Sequence, residues 1–183
     1  MNTNHKEEIA TLGGGCFWCV EAVVQRLQGV NKVVSGYAGG TAENANYKAV
    51  CSGTTKHAEV VQVHFDPTVI SYAEILEVFW SAHDPTTLNR QGNDVGPQYR
   101  SVIFYHDDTQ KQIAEESIQN VAPKLWSDPI VTELSPLEQF YQAEDYHLNY
   151  YNNVGNRNPY CTFVITPKVK KLQKEFSHKL KEA

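Results

Sequence analysis

Three consecutive glycines, Gly13-Gly14-Gly15, separate an apolar run from a helical pattern, and they limit the fold more than any other feature. Without a Cβ the backbone there can turn sharply and come close to another segment. Residues 9–12 before them are apolar and short enough for a strand. Behind them Phe17, Val20, Val24 and Leu27 recur at helical spacing on one face, until Gly29 stops the pattern. The chain is therefore expected to pass from a strand through a glycine turn into a helix, with Cys16 at the junction.

The remaining pattern repeats that alternation. Residues 30–36 read as a strand leading to a loop through Gly39-Gly40. Val61, Val63 and Phe65 alternate with Gln62 and His64, the period of a half-buried strand, which Asp66-Pro67 ends. Ser71 and Glu74 form a capping box ahead of the stripe Ile75, Leu76, Phe79 and Trp80. After a polar loop at 89–98, residues 99–105 predict a strand and 109–121 a helix closed by Pro123. Residues 130–134 predict a strand, and Ser135-Pro136 a further helix start with proline in the first turn. Residues 162–165 predict a last strand, before Thr166-Pro167 caps a helix carrying Val169, Leu172 and Phe176. Strands interleaved with helices imply a sheet with helices packed on it. No repeat, low-complexity tract or long linker divides the chain, so residues 1–183 read as one domain.

Composition removes several classes of function. With 183 residues and 41% apolar content the chain can build a substantial core. The net charge of -5 argues against a nucleic-acid surface. The basic residues between 168 and 181 have the spacing of a solvated helix end. No apolar run approaches the ~18 residues of a membrane span. The polar N-terminus lacks the core of a signal peptide. A cytoplasmic location is expected, where thiols stay reduced and four cysteines are catalytic, metal-bound or inert.

Cys16 falls at the first turn of its helix, where free N–H groups stabilise an anion and should lower the thiol pKa. Phe17 and Trp18 offer an apolar wall for a small thioether or methyl group, or else are ordinary core. Cys16 and Cys19 form a C-x-x-C, which fits a redox pair, half a zinc site, or coincidence. His57-Ala58-Glu59 matches the H-x-E of zinc nucleobase deaminases, but there it precedes P-C-x-x-C, and here the order is reversed. Three readings stand: an enzyme with Cys16 as a lone nucleophilic thiolate, a general dithiol oxidoreductase using Cys16 and Cys19, and a metal-binding module of Cys16, Cys19 and His57.

One ordered set of motifs favours the first. Gly15-Cys16-Phe17-Trp18, Gly36-Tyr37-Ala38-Gly39-Gly40, Cys51-Ser52-Gly53 and His57-Ala58-Glu59 are followed by His83-Asp84-Pro85 and Arg90-Gln91-Gly92-Asn93-Asp94. Gln98-Tyr99-Arg100-Ser101 and Ala143-Glu144-Asp145-Tyr146-His147 complete the series. Together they resemble the peptide methionine sulfoxide reductase A family, over residues 9–176. The resemblance implies an α+β domain, a two-layer sandwich related to the ferredoxin-like fold, with a mixed sheet and packed helices. It implies no cofactor in the active site, selectivity for the S epimer of methionine sulfoxide, free or in proteins, and thioredoxin as reductant. Cys16 matches the nucleophile, Phe17 and Trp18 the pair that receives the substrate methyl, and Glu59 the acid. Tyr47, Asp94 and Tyr99 match polar groups around the sulfoxide oxygen. Cys161 matches the recycling cysteine and is favoured for that role, with Cys19 the alternative. A glycine-rich tail usual in the family is replaced here by residues 162–165 and a helix. Cys51 reads as a small core residue.

Overall fold

In the computed structural model, which describes residues 6–182, β1 (Glu8–Gly14) runs into the glycines and ends beside α1 (Phe17–Val24). The polar N-terminal stretch begins outside the described residues. Gly15 turns the chain at φ 89°, in the left-handed region that favours glycine, and a Cβ there would lie 2.6 Å from Gln91. α1 ends at Val24 rather than running on to Leu27, which bridges Leu180 instead. It is buried on nearly every side, not along one stripe.

The chain continues through β2 (Val30–Ala38), α2 (Tyr47–Cys51), β3 (Ala58–Phe65), α3 (Tyr72–Ala82), β4 (Arg90–Gln91) and β5 (Asp94–Val95). Then come β6 (Ser101–Tyr105), α4 (Asp108–Asn120), α5 (Ala122–Leu125), β7 (Glu133–Pro136), β8 (Phe140–Gln142), α6 (Tyr150–Val154) and α7 (Thr166–Glu175). Six strands form one sheet in the order β7-β6-β1-β3-β2-β8, while β4 and β5 pair separately. Among the described residues only the β6–β7 pair is parallel, so the sheet is mixed and the class α+β.

The two faces of the sheet bury different sets. Val61, Val63, Phe65 and Tyr37 join the main core with α1, α3 and α7, whereas Ala58, Val60, Val102 and Phe104 form a small cluster under Leu137 and Phe140. The Ser71–Glu74 capping box is present, and behind it Ile75, Leu76, Phe79 and Trp80 are fully buried. Each such side chain contributes roughly 1.5–3 kcal/mol.

Besides the early end of α1, four expectations differ. Ser135 and Pro136 start no helix; they end β7, an edge strand where proline's missing N–H is not needed. Pro123 does not merely close α4 but sits in the first turn of α5. Tyr99 precedes its strand, in a 3₁₀ turn (Pro97–Tyr99). Residues 162–165 are not a strand: Cys161–Ile165 is a π-helical segment that runs into α7, with Cys161 and Ile165 buried and Phe163 exposed.

Candidate active site

β1 delivers Cys16 to the N-terminus of α1, and the register of β3 delivers Glu59 to the same place. Glu59 lies opposite Tyr37 on β2 and is only 1% exposed. Its Oε1 accepts from the Phe17 N–H at 3.1 Å, so the carboxyl caps the first turn behind Cys16. Burial pushes this carboxyl up to about 8, with the Phe17 N–H pulling the other way and the Asp94 carboxylate adding to the rise. It therefore holds a proton at neutral pH.

The expectation for the thiols needs correction. Burial pushes Cys16 well above the usual thiol range despite its place at the helix end. The hydrogen bond from Cys16 instead holds Cys19 down to about 7, with Lys168 and the Tyr160 hydroxyl helping. The two thiols titrate together. The Tyr160 hydroxyl lies 3.5 Å from Cys19 Sγ and donates to Asp94 Oδ2 at 2.7 Å. A cavity of about 250 Å³ opens beside Cys16, lined by Gln91, Asp94, Tyr160, Phe163 and Lys168. A groove of about 690 Å³ on the other face of the sheet, around Lys56, Arg100 and Glu133, contains no thiol, so size does not locate the chemistry.

Trp18 stands half-buried among aromatic rings. Tyr150 stacks on it at 3.8 Å and 7°, Tyr160 meets it edge-on at 6.0 Å, and Tyr47 lies at 6.5 Å. Its indole N–H donates to His147 Nδ1 at 3.0 Å. Phe17 lies deeper, fully buried against Tyr37 and His147, and forms the floor of this box. Burial holds the protons of the Tyr47 and Tyr99 hydroxyls firmly, and ionisation of Glu59 or Cys16 nearby would hold them more firmly still. Glu144 fixes Tyr47 from behind by accepting from its backbone N–H at 3.2 Å.

The arrangement brings together a thiol pair, a neutral carboxyl, two phenols and an aromatic box. The family's sequence profile, described as peptide methionine sulfoxide reductase, matches residues 8–180. The chain belongs to the peptide methionine sulfoxide reductase family. It is 58% identical over 174 residues to the peptide methionine sulfoxide reductase MsrA of Saccharolobus solfataricus, covering 95% of this chain and 97% of that one. Methionine sulfoxide reductase A of Corynebacterium diphtheriae superposes with a TM-score of 0.76 at 36% identity, over 87% of this chain and 78% of that one. Mxr1 from Saccharomyces cerevisiae, in complex with Trx2, matches at a TM-score of 0.51 and 26% identity, over 82% of this chain and 88% of that one.

Within this reductase fold the other candidates separate. Cys161 is buried in the π segment, where burial first and the charge at Cys19 second push its thiol up. The residues leading to it are not a loop: residues 150–157 form α6 and a 3₁₀ turn. Cys51 is exposed at the end of α2 and hydrogen-bonded to Tyr47, not a core residue. His57 bonds Gly40 N and Thr41 O, and among the described residues no three His, Cys, Asp or Glu side chains converge as a metal site. Four contributors carried no assigned role in the sequence: Tyr160, Tyr150, Glu144 and His147. The last two stood in a quoted motif; Tyr160 had only its place beside Cys161 as a signal.

Proposed function

We propose that this protein reduces the S epimer of methionine sulfoxide, free or in proteins, with Cys16 as nucleophile and Glu59 as acid. The observation that carries the reading is the neutral Glu59 carboxyl bonded to the first turn of α1, one residue from Cys16. Substrate seats its methyl in the box of Phe17, Trp18, Tyr150 and Tyr160. Its oxygen faces Tyr47, Tyr99 and the Asp94 hairpin, where phenol donors stabilise developing charge. Cys16 passes its proton to Cys19 and attacks the sulfoxide sulfur, while Glu59 protonates the oxygen. Methionine leaves, and Cys16 becomes a sulfenic acid.

Recycling then needs a second thiol. Cys19 lies one turn from Cys16 on the same helix, so the two condense to a disulfide with loss of water. Cys161 could take this role only by leaving its buried helical position. Thioredoxin, as in the solved complex of Mxr1 with Trx2, then reduces the disulfide by thiol–disulfide exchange. No cofactor enters this sequence of steps, and a cytoplasmic location suits its need for a reducing thiol pool. No helix among the described residues is long and apolar enough to cross a membrane.

The β1-α1-β2-β3-α3-β6 succession, with sheet order β6-β1-β3-β2, supports reading the fold as an elaborated ferredoxin-like sandwich, one domain over residues 1–183 with its core at about 9–176. The deciding experiment is turnover of the separate R and S sulfoxides with dithiothreitol. Methionine should form from the S epimer alone; equal rates on both, or on neither, would remove the proposal.

A further inference from the structure

α1 carries a carboxyl where its neighbours are apolar. Glu21 is only 1% exposed, between Val20 and Ala22 in the core. Its described partners are neutral donors. Ser35 Oγ–H reaches Oε2 at 3.3 Å, the Tyr150 N–H reaches Oε1 at 3.2 Å, and the Asn149 N–H also donates. Burying a carboxyl is costly unless hydrogen bonds answer it, and here two of the donors come from one turn. Asn149 adopts the left-handed conformation, φ 53° and ψ 36°, which asparagine reaches more readily than other non-glycine residues. That conformation, followed by the helical Tyr150, points successive N–H groups at a single anion.

Tyr150 opens α6, and its ring is the one stacked on Trp18 at 3.8 Å. Its hydroxyl accepts from Asn158 Nδ2 at 2.8 Å, so both ends of the residue are tied. Glu21 follows Trp18 by three positions on α1, which makes the two side chains neighbours on the helix surface. The returning segment thus docks twice on the helix that carries Cys16: backbone on Glu21, ring on Trp18. We propose that Glu21 is a positioning residue for sulfoxide reduction: through the Asn149–Tyr150 turn it holds the Tyr150 ring against Trp18 and sets the shape of the box that receives the substrate methyl. The proposal rests on the methyl-site reading above.

The test compares the parent with Glu21→Leu, Glu21→Gln, Tyr150→Leu and Trp18→Ala. The readouts are kcat and KM on an S-sulfoxide peptide with dithiothreitol, and the alkylation rate of Cys16 followed by mass spectrometry. Glu21→Leu should raise KM roughly tenfold, the scale of one charge-assisted hydrogen bond. Cys16 alkylation should stay at the parental rate, which separates box geometry from a general loosening of α1. Glu21→Leu should add little to Tyr150→Leu in the double variant, because both act through one ring. A parental KM, full additivity, or an alkylation rate that falls in step with KM would overturn the proposal. If Glu21→Leu does not fold, Glu21→Gln keeps one acceptor and should raise KM about threefold with faster amide exchange at Tyr150; parental values of both would overturn it. An unchanged KM in Trp18→Ala would remove the methyl-site reading and this proposal with it. A raised KM there beside parental Glu21 variants would overturn this proposal alone.

Discussion

Glu59 and Cys19 set opposite limits on the pH at which the site works. The thiol pair must lose a proton, which it does near 7 at Cys19, and Glu59 must keep one, which it does up to about 8. The chemical step should therefore rise through about pH 7 and fall above about pH 8, a narrow bell. Glu59→Gln should slow single-turnover methionine formation by ~10²–10⁴ and abolish the alkaline limb. A loss below about fivefold, or an alkaline limb that survives, would take Glu59 out of the acid's role. The same residue predicts a stability effect of definite sign. Its folded pKa, about 8, lies above its ordinary value of 4.5, so the unfolded chain binds fewer protons between those values. Stability is fully present below 4.5 and declines as pH rises toward 8. Glu59→Gln, which cannot ionise, should melt higher than the parent at about pH 9 and at a similar temperature at about pH 4. Equal melting temperatures at the higher pH would show that the carboxyl is not desolvated as described.

At the scale of elements, the first turn of α1 decides how the enzyme is recycled. Cys16 stands at the helix N-cap, and the Cys19 N–H bonds the Cys16 carbonyl at 3.0 Å, so both thiols emerge from one turn. Disulfide Cα atoms must lie within ~7 Å, which one helical turn satisfies with modest rotation. Enzyme oxidised with excess sulfoxide and mapped without reductant should give a Cys16–Cys19 bridge. Cys19→Ser should form one equivalent of methionine, more slowly at neutral pH because Cys16 has lost its proton acceptor, and then stall with thioredoxin, while Cys161→Ser continues at the parental rate; a Cys16–Cys161 bridge would reverse this assignment. The sequence made α1 and β3 legible because glycine punctuation and strict alternation leave few alternatives. It misread residues 162–165, whose Phe, Val and Ile favour strands, because packing overrode propensity. Cys161 and Ile165, four apart, are the buried pair, and that is a helical spacing. Pro136 misled similarly: the same residue suits a first helical turn and a sheet edge, and only topology distinguishes them.

Across the whole molecule, the site is assembled from four distant segments, around 16–19, 47–59, 91–99 and 144–161. Motifs announced residue types in each, but sequence spacing carries no information about which side chains meet. Tyr160 shows the consequence: its hydroxyl joins Cys19, 141 positions away, to Asp94, 66 positions away. Removing that oxygen tests whether the link is functional or only structural. The Tyr160 hydroxyl has one proton for Asp94 and Cys19; turned toward Cys19 it helps hold that thiol down near 7, so its loss must raise the thiol's pKa. Tyr160→Phe keeps the ring that edges Trp18 and frees the Asp94 carboxylate, while the fold keeps its apolar contacts. The pH profile for alkylation of Cys19, followed by mass spectrometry, should move to higher pH, and sulfoxide turnover at neutral pH should fall roughly tenfold, the scale of one charge-assisted hydrogen bond. Raising the pH should recover part of the rate, until Glu59 ionises near 8 and ends the recovery. A parental alkylation profile, or a rate loss that no pH restores, would place Tyr160 with the packing of the box and not with the acidity of the thiol pair.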